Sequence, residues 1–103
     1  MDIREMQKRA YENKVKHNFN TTNVDMEFCL LYGEVGEAYE AWIKKHDNMS
    51  EELADVAIYL FGLAQMTGVD LQTEVEKKMA INEKREYVKV NGVLVKKDSK
   101  DDV

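Results

Sequence analysis

Two acidic pairs, Glu34 with Glu37 and Glu52 with Asp55, stand three residues apart inside otherwise apolar helical sequence, LYGEVGEAYEAW and EELADVAIYL. On a helix, positions three apart share a face, so each pair aims two carboxylates at one place. Folding the two segments back on each other as a hairpin brings all four together, which is how helical bundles build cation sites. Glu37 with Glu40, Glu83 with Glu86 and Asp2 with Glu5 repeat the interval. Spacing by itself therefore describes a solvated acidic face equally well. The neighbours distinguish the first two pairs, since Leu31, Val35 and Ala38 bracket one, and Leu53, Val56 and Ala57 the other. Carboxylates beside a packed seam are unfavourable unless they find ion-pair partners or a cation. With no histidine or thiolate at ligand spacing, a bound cation would be a hard one, magnesium or manganese rather than zinc, and such an ion retains waters and takes phosphate. Lys78, Asn82 and Arg85, spaced four and three apart, form a polar stripe that could donate to that phosphate or be an ordinary solvated face.

The elements that must position these groups follow from punctuation and periodicity. Asp2 with Glu5 starts a first helix through Met6, Ala10 and Val15 to about His17. Residues 17–23, HNFNTTN, form a loop of short polar side chains ending in a cap. A second helix runs from about Val24 to Lys45, its stripe being Val24, Phe28, Leu31, Val35 and Ala38. Cys29, Tyr32, Tyr39 and Trp42 lie outside that stripe, so the helix is apolar on more than one side. A homo-oligomer, dimer or dimer of dimers, is the simplest cover. After a turn at Asp47–Ser50, a third helix carries Leu53, Val56, Ala57, Leu60 and Ala64 to Gly68, a left-handed cap. Asp70 opens a fourth, with Leu71, Val75 and Met79 along its apolar edge. YVKV-NG-VLVK over residues 87–96 reads as a β-hairpin whose Asn-Gly turn pairs Val90 with Val93 and Val88 with Val95. The expected architecture is all-α, a four-helix bundle with a short C-terminal hairpin, as one domain over residues 1–96. A charged tail, 97–103, is expected to be disordered.

The chain has 103 residues and a net charge of -5. That size is one small domain, in the range where a partner often completes the core. The acidic balance disfavours nucleic acid and anionic membrane as partners. One cysteine excludes an internal disulfide and suits a reducing cytoplasm. The longest apolar run, Val56–Ala64, is too short to span a bilayer, and the first ten residues are charged rather than signal-like.

GEVGEAYEAW followed by EELADVAIYL resembles the Glu-x-x-Glu, Glu-x-x-Asp pattern of the MazG-like all-α nucleoside triphosphate pyrophosphohydrolases, and KMAINEKREY is similar to that family's later Lys-x-x-x-Asn-x-x-Arg segment. The resemblance covers most of residues 30–87. It implies hydrolysis of a (deoxy)nucleoside triphosphate to the monophosphate and pyrophosphate, a nucleotide-pool housecleaning reaction. It further implies magnesium held by Glu34, Glu37, Glu52 and Asp55, phosphates contacted by Lys78, Asn82 and Arg85, and Tyr59 near the nucleotide. Among the four acids, Glu37 is the expected general base. Gly33 departs from the pattern, standing where many members carry another glutamate, and residues 13–23 leave the base specificity open. Within the enzyme class the alternatives are hydrolysis of dUTP or of phosphoribosyl-ATP. Outside it stands a non-catalytic helical dimerisation module with structural metal.

Overall fold

A computed structural model describes residues 1–97. Residues 98–103, most of the expected tail, lie outside the described residues. Four helices and a hairpin follow in order: α1 (Ile3–Lys16), α2 (Val24–Ile43), α3 (Met49–Met66), α4 (Leu71–Lys84), β1 (Tyr87–Val90) and β2 (Val93–Lys96). The chain divides into two compact units, Met1–Gln72 and Thr73–Val103.

In the first unit α3 is the central element, packing against α1 on one side and α2 on the other. Local chemistry fixes where these helices begin. The Asp2 carboxylate accepts the Glu5 N–H at 2.8 Å, and the Asn23 side chain accepts that of Met26 at 3.0 Å, each satisfying a donor the helix itself cannot. Asn48 precedes α3 without such a bond; its amide donates instead to Glu52 at 3.2 Å. Three helix ends close the same way, with Phe19, His46 and Val69 N–H groups reaching back to the carbonyls of Lys14, Ala41 and Ala64. Asn18, Lys45 and Gly68 supply the positive φ this closure needs. The sequence marks only Gly68 for that role; α2 therefore stops at Ile43, and Lys44–His46 belong to the closure rather than to the last turn.

The buried faces differ from the purely apolar stripes expected from sequence. On α2 the inward line is Glu27, Leu31, Glu34, Ala38 and Ala41, at spacings of four and three, while Phe28 and Val35 are about half exposed. Two carboxylates occupy positions that an apolar count leaves out, which rotates the true face by one residue. On α1, Gln7 and Lys14 are buried, whereas Val15 is exposed. Gln7 earns its place by bonding: its amide donates to the Val69 carbonyl at 2.6 Å and to Gln65, and its oxygen accepts from Leu71. The fully covered apolar side chains are few, Ala38, Ala41, Leu63 and Ala64. Tyr32, Tyr39 and Trp42 are 76%, 65% and 64% exposed.

In the second unit the hairpin has the expected register, with Val88 opposite Val95 and Val90 opposite Val93. Asn91 and Gly92 both adopt positive φ, as a two-residue turn of this kind requires. The Lys97 N–H closes the ladder onto the Glu86 carbonyl at 2.8 Å.

Candidate active site

The antiparallel pairing of α2 with α3 carries the acidic motifs together. Glu34, Glu37 and Glu52 each bring a carboxylate oxygen within 4.8 Å of the other two. Glu34 and Glu52 are half-buried on the inward lines of their helices, and Glu37 is exposed. Asp55, one turn beyond Glu52, stays outside that triad and lies on the wall of an adjoining cavity. Among the described residues no lysine or arginine pairs with any of the four.

Such crowding shows in the acids themselves. Partial burial pushes the Glu34 carboxyl above the usual glutamate range, and the Glu37 charge, a hydrogen bond to Glu37, and the charges of Asp55 and Glu52 push it further the same way. Tyr59, one turn after Asp55, is raised first by burial and then by the charges of Glu34 and Glu27. The donor set is hard oxygen throughout, in a cluster that only a cation or a proton relieves. It therefore fits a magnesium-type ion.

Beside the acids a cavity of about 470 Å³ opens among α1, the 17–23 loop, α2 and α3. Its volume falls within the ~300–1,000 Å³ range typical of small-molecule sites. Phe19, Met26, Leu30 and Ile58 make its apolar walls, and Asp55 and Tyr59 connect it to the acidic cluster. At its inner end Lys14 Nζ lies 2.7 Å from Glu27 Oε2, and Asn20 Nδ2 lies 3.2 Å from Glu27 Oε1. Glu27 is 0% exposed.

Sequence reasoning missed this buried group. Its signal was present, since Glu27 falls on the same four-three line as Leu31, Glu34 and Ala38, and Lys14 sits seven residues from Gln7 on α1. A search for apolar stripes passes over both.

The remaining expected site residues lie in the second unit. Lys78 and Asn82 are exposed on α4, and Arg85 follows one residue after that helix, half-buried, its N–H donating to the Asn82 carbonyl at 3.2 Å.

An all-α chain with opposed Glu-x-x-Glu and Glu-x-x-Asp helices defines a helical acidic-site protein. More particularly, the MazG-like family model matches residues 22–101, and the chain belongs to the MazG-like family. It is also similar to a dATP/dGTP diphosphohydrolase of Salmonella phage PMBT28, with 59% identity over 34 residues. That match spans 33% of this chain but 12% of the relative's length. No solved structure matches.

Proposed function

We propose that this chain hydrolyses (deoxy)nucleoside triphosphates to the monophosphate and pyrophosphate. The observation that carries the reading is the convergence of Glu34, Glu37 and Glu52 within 4.8 Å with no basic partner among the described residues. Family membership and the activity named for the phage relative support it.

Glu34, Glu37, Glu52 and Asp55 would hold magnesium, with manganese able to substitute. Bound there, the ion would withdraw charge from the attacked phosphorus and lower the pKa of a bound water. The chain's own groups do the rest. Glu37, the most exposed acid of the triad, accepts the proton of the attacking water as its oxygen bonds to phosphorus. The bridge between the α and β phosphates then breaks and pyrophosphate leaves. Tyr59 lies at the junction of cluster and cavity, near Glu34 and Asp55. The cavity takes the nucleoside end of the substrate, and Lys78, Asn82 and Arg85 donate to its phosphates. Phosphoryl transfer asks mainly for positioning and charge stabilisation, which these groups supply.

The working form is a homo-oligomer, dimer or dimer of dimers. The exposed Tyr32, Tyr39 and Trp42 on α2 support it, being large apolar surface that one small chain leaves uncovered. No helix among the described residues is long and apolar enough to cross a membrane. A cytoplasmic role in clearing unwanted nucleotides suits the chemistry.

Pyrophosphate release measured across the eight common nucleoside and deoxynucleoside triphosphates, with and without magnesium, tests the reading. Release from at least one, dependent on the metal, is expected. No release from any, with magnesium or manganese, rejects it. Light scattering at micromolar concentration tests the assembly, and a monomeric mass rejects that part alone.

A further inference from the structure

The Lys14–Glu27 pair plays no part in the chemistry just described, yet the first unit is built around it. Lys14 comes from the last turn of α1 and Glu27 from the first turn of α2, and α3 meets both at Gly62. A Cβ at residue 62 would stand 3.0 Å from Lys14 Cδ, with Glu27 Oε2 4.0 Å away, so glycine is what leaves room for the lysine stem. Both carboxylate oxygens of Glu27 are used. Oε2 takes the ammonium, and Oε1 takes the amide of Asn20, in the loop between α1 and α2.

That second bond reaches beyond the core. Asn20 is the hub of its loop: Nδ2 also donates to the Asn23 carbonyl at 2.7 Å, and Oδ1 accepts from the N–H groups of Asn23 and Thr22. Phe19, the neighbouring residue, is tied back to Lys14 through its N–H and presents its ring to the cavity. The loop that covers the cavity is thus anchored, through one side chain, to a fully buried carboxylate. Lys14 Nζ also lies 6.0 Å from the Tyr59 ring, on the side of the cavity that leads to the acids.

Charge decides what such an enclosure accepts. Lys14 is neutralised by Glu27, so the inner end offers no net positive charge to a phosphate. A neutral planar ring between apolar walls, with Phe19 on one side, is the ligand class that fits.

We propose that Glu27, neutralised by Lys14, is a positioning residue that holds the Asn20 loop over the cavity and thereby sets recognition of a neutral nucleobase, separately from phosphate binding. The proposal rests on the functional reading above, in which the acids hold the phosphates and the cavity the nucleoside.

Two double variants of the chain separate its parts. Lys14→Met with Glu27→Leu removes the pair without leaving a lone buried charge, a kind of replacement that proteins often tolerate or gain stability from. Lys14→Met with Glu27→Gln also removes both charges but keeps a carbonyl oxygen to accept from Asn20. Calorimetric titration with magnesium then compares two probes, α,β-imido nucleoside triphosphates and inorganic tripolyphosphate, which has no base. The leucine variant is expected to lose at least tenfold in nucleotide affinity with tripolyphosphate binding unchanged, and amide exchange over residues 19–23 should quicken. The glutamine variant should stay within threefold of the parent on all three measures. Equal loss for both probes, no loss for either, or a glutamine variant no better than the leucine one overturns the proposal. A parent that binds tripolyphosphate as tightly as every nucleotide overturns it while leaving the phosphate site standing. A parent that binds neither probe rejects the functional reading and this inference with it.

Discussion

Glu27 and Glu34 lie on one inward line of α2, seven residues apart, and the chain treats them in opposite ways. Glu27 is sealed from water and carries its counter-charge in the same fold, a lysine at 2.7 Å. Glu34 is partly open and has Glu37, Glu52 and Asp55 as its charged neighbours, with no basic side chain paired to it among the described residues. A carboxylate that serves the fold is neutralised from within; one gathered with its own kind waits for charge from outside. Two acids can thus share a helix face and even a line of positions, yet differ wholly in what stands opposite them.

Breaking the internal neutralisation should produce the largest effect. Lys14→Met alone strands a buried carboxylate, and Glu27→Leu alone strands a buried ammonium; each should lower stability by about 3–5 kcal/mol. The double variant should recover most of that loss. Urea unfolding of the four proteins checks it, and additive losses would mean the two groups do not act as a pair.

Supplying the missing charge to the other acids should raise stability by a smaller amount. Magnesium at a hundred times its dissociation constant stabilises a folded state that alone binds it by about 2.7 kcal/mol. Glu37→Gln keeps the shape and removes one charge, so in chelator it should melt at the parent's temperature or above, yet gain less when millimolar magnesium is added. Equal magnesium response in both proteins removes Glu37 from the site. No response in either removes the site.

An effect of comparable or smaller size is expected at the proposed phosphate donors. Lys78→Ala and Arg85→Ala should each weaken binding of a non-hydrolysable triphosphate by about 1.5–3 kcal/mol, the worth of a hydrogen bond to a charged group. Unchanged affinity in both would leave the acidic cluster and its cation as the whole of the phosphate site.

Much of this contrast is legible in the sequence, though unevenly. The four acids stand out because charge interrupts an apolar pattern at a regular interval, and the hairpin register follows from a two-residue Asn-Gly turn that permits only one pairing. Gly68 announces its helix end because positive φ costs glycine little. Asn18 and Lys45 make the same closure with weaker signals: asparagine takes positive φ more readily than most residues but is also common in loops, and lysine gives no such sign. The buried pair was hidden for a related reason. Lys14 and Glu27 are thirteen residues apart on different helices, and only the fold makes them partners. Periodicity counts hydrophobic residues, so a face completed by two opposite charges registers as a gap.

The mildest test uses protons in place of a metal. Glu34 titrates above the ordinary glutamate value of about 4.3 because partial burial and the neighbouring acids disfavour its charged form. The folded state therefore holds that proton more tightly than the unfolded chain does, and stability linked to Glu34 falls as pH rises from below the ordinary value through the raised one. In chelator, Glu34→Gln removes this slope. The variant should be at least as stable as the parent at neutral pH, and its advantage should shrink as the pH falls through the raised value toward about 4.3, below which the parent's Glu34 is protonated in both states. With magnesium present the order at neutral pH should reverse, because the parent alone keeps the full set of oxygens for the ion. Melting curves across pH 4 to 8 for both proteins, with and without metal, read all of this. A parent whose pH slope in chelator matches that of Glu34→Gln would mean the crowding at Glu34 is already relieved, and the contrast with Glu27 would lose its physical basis.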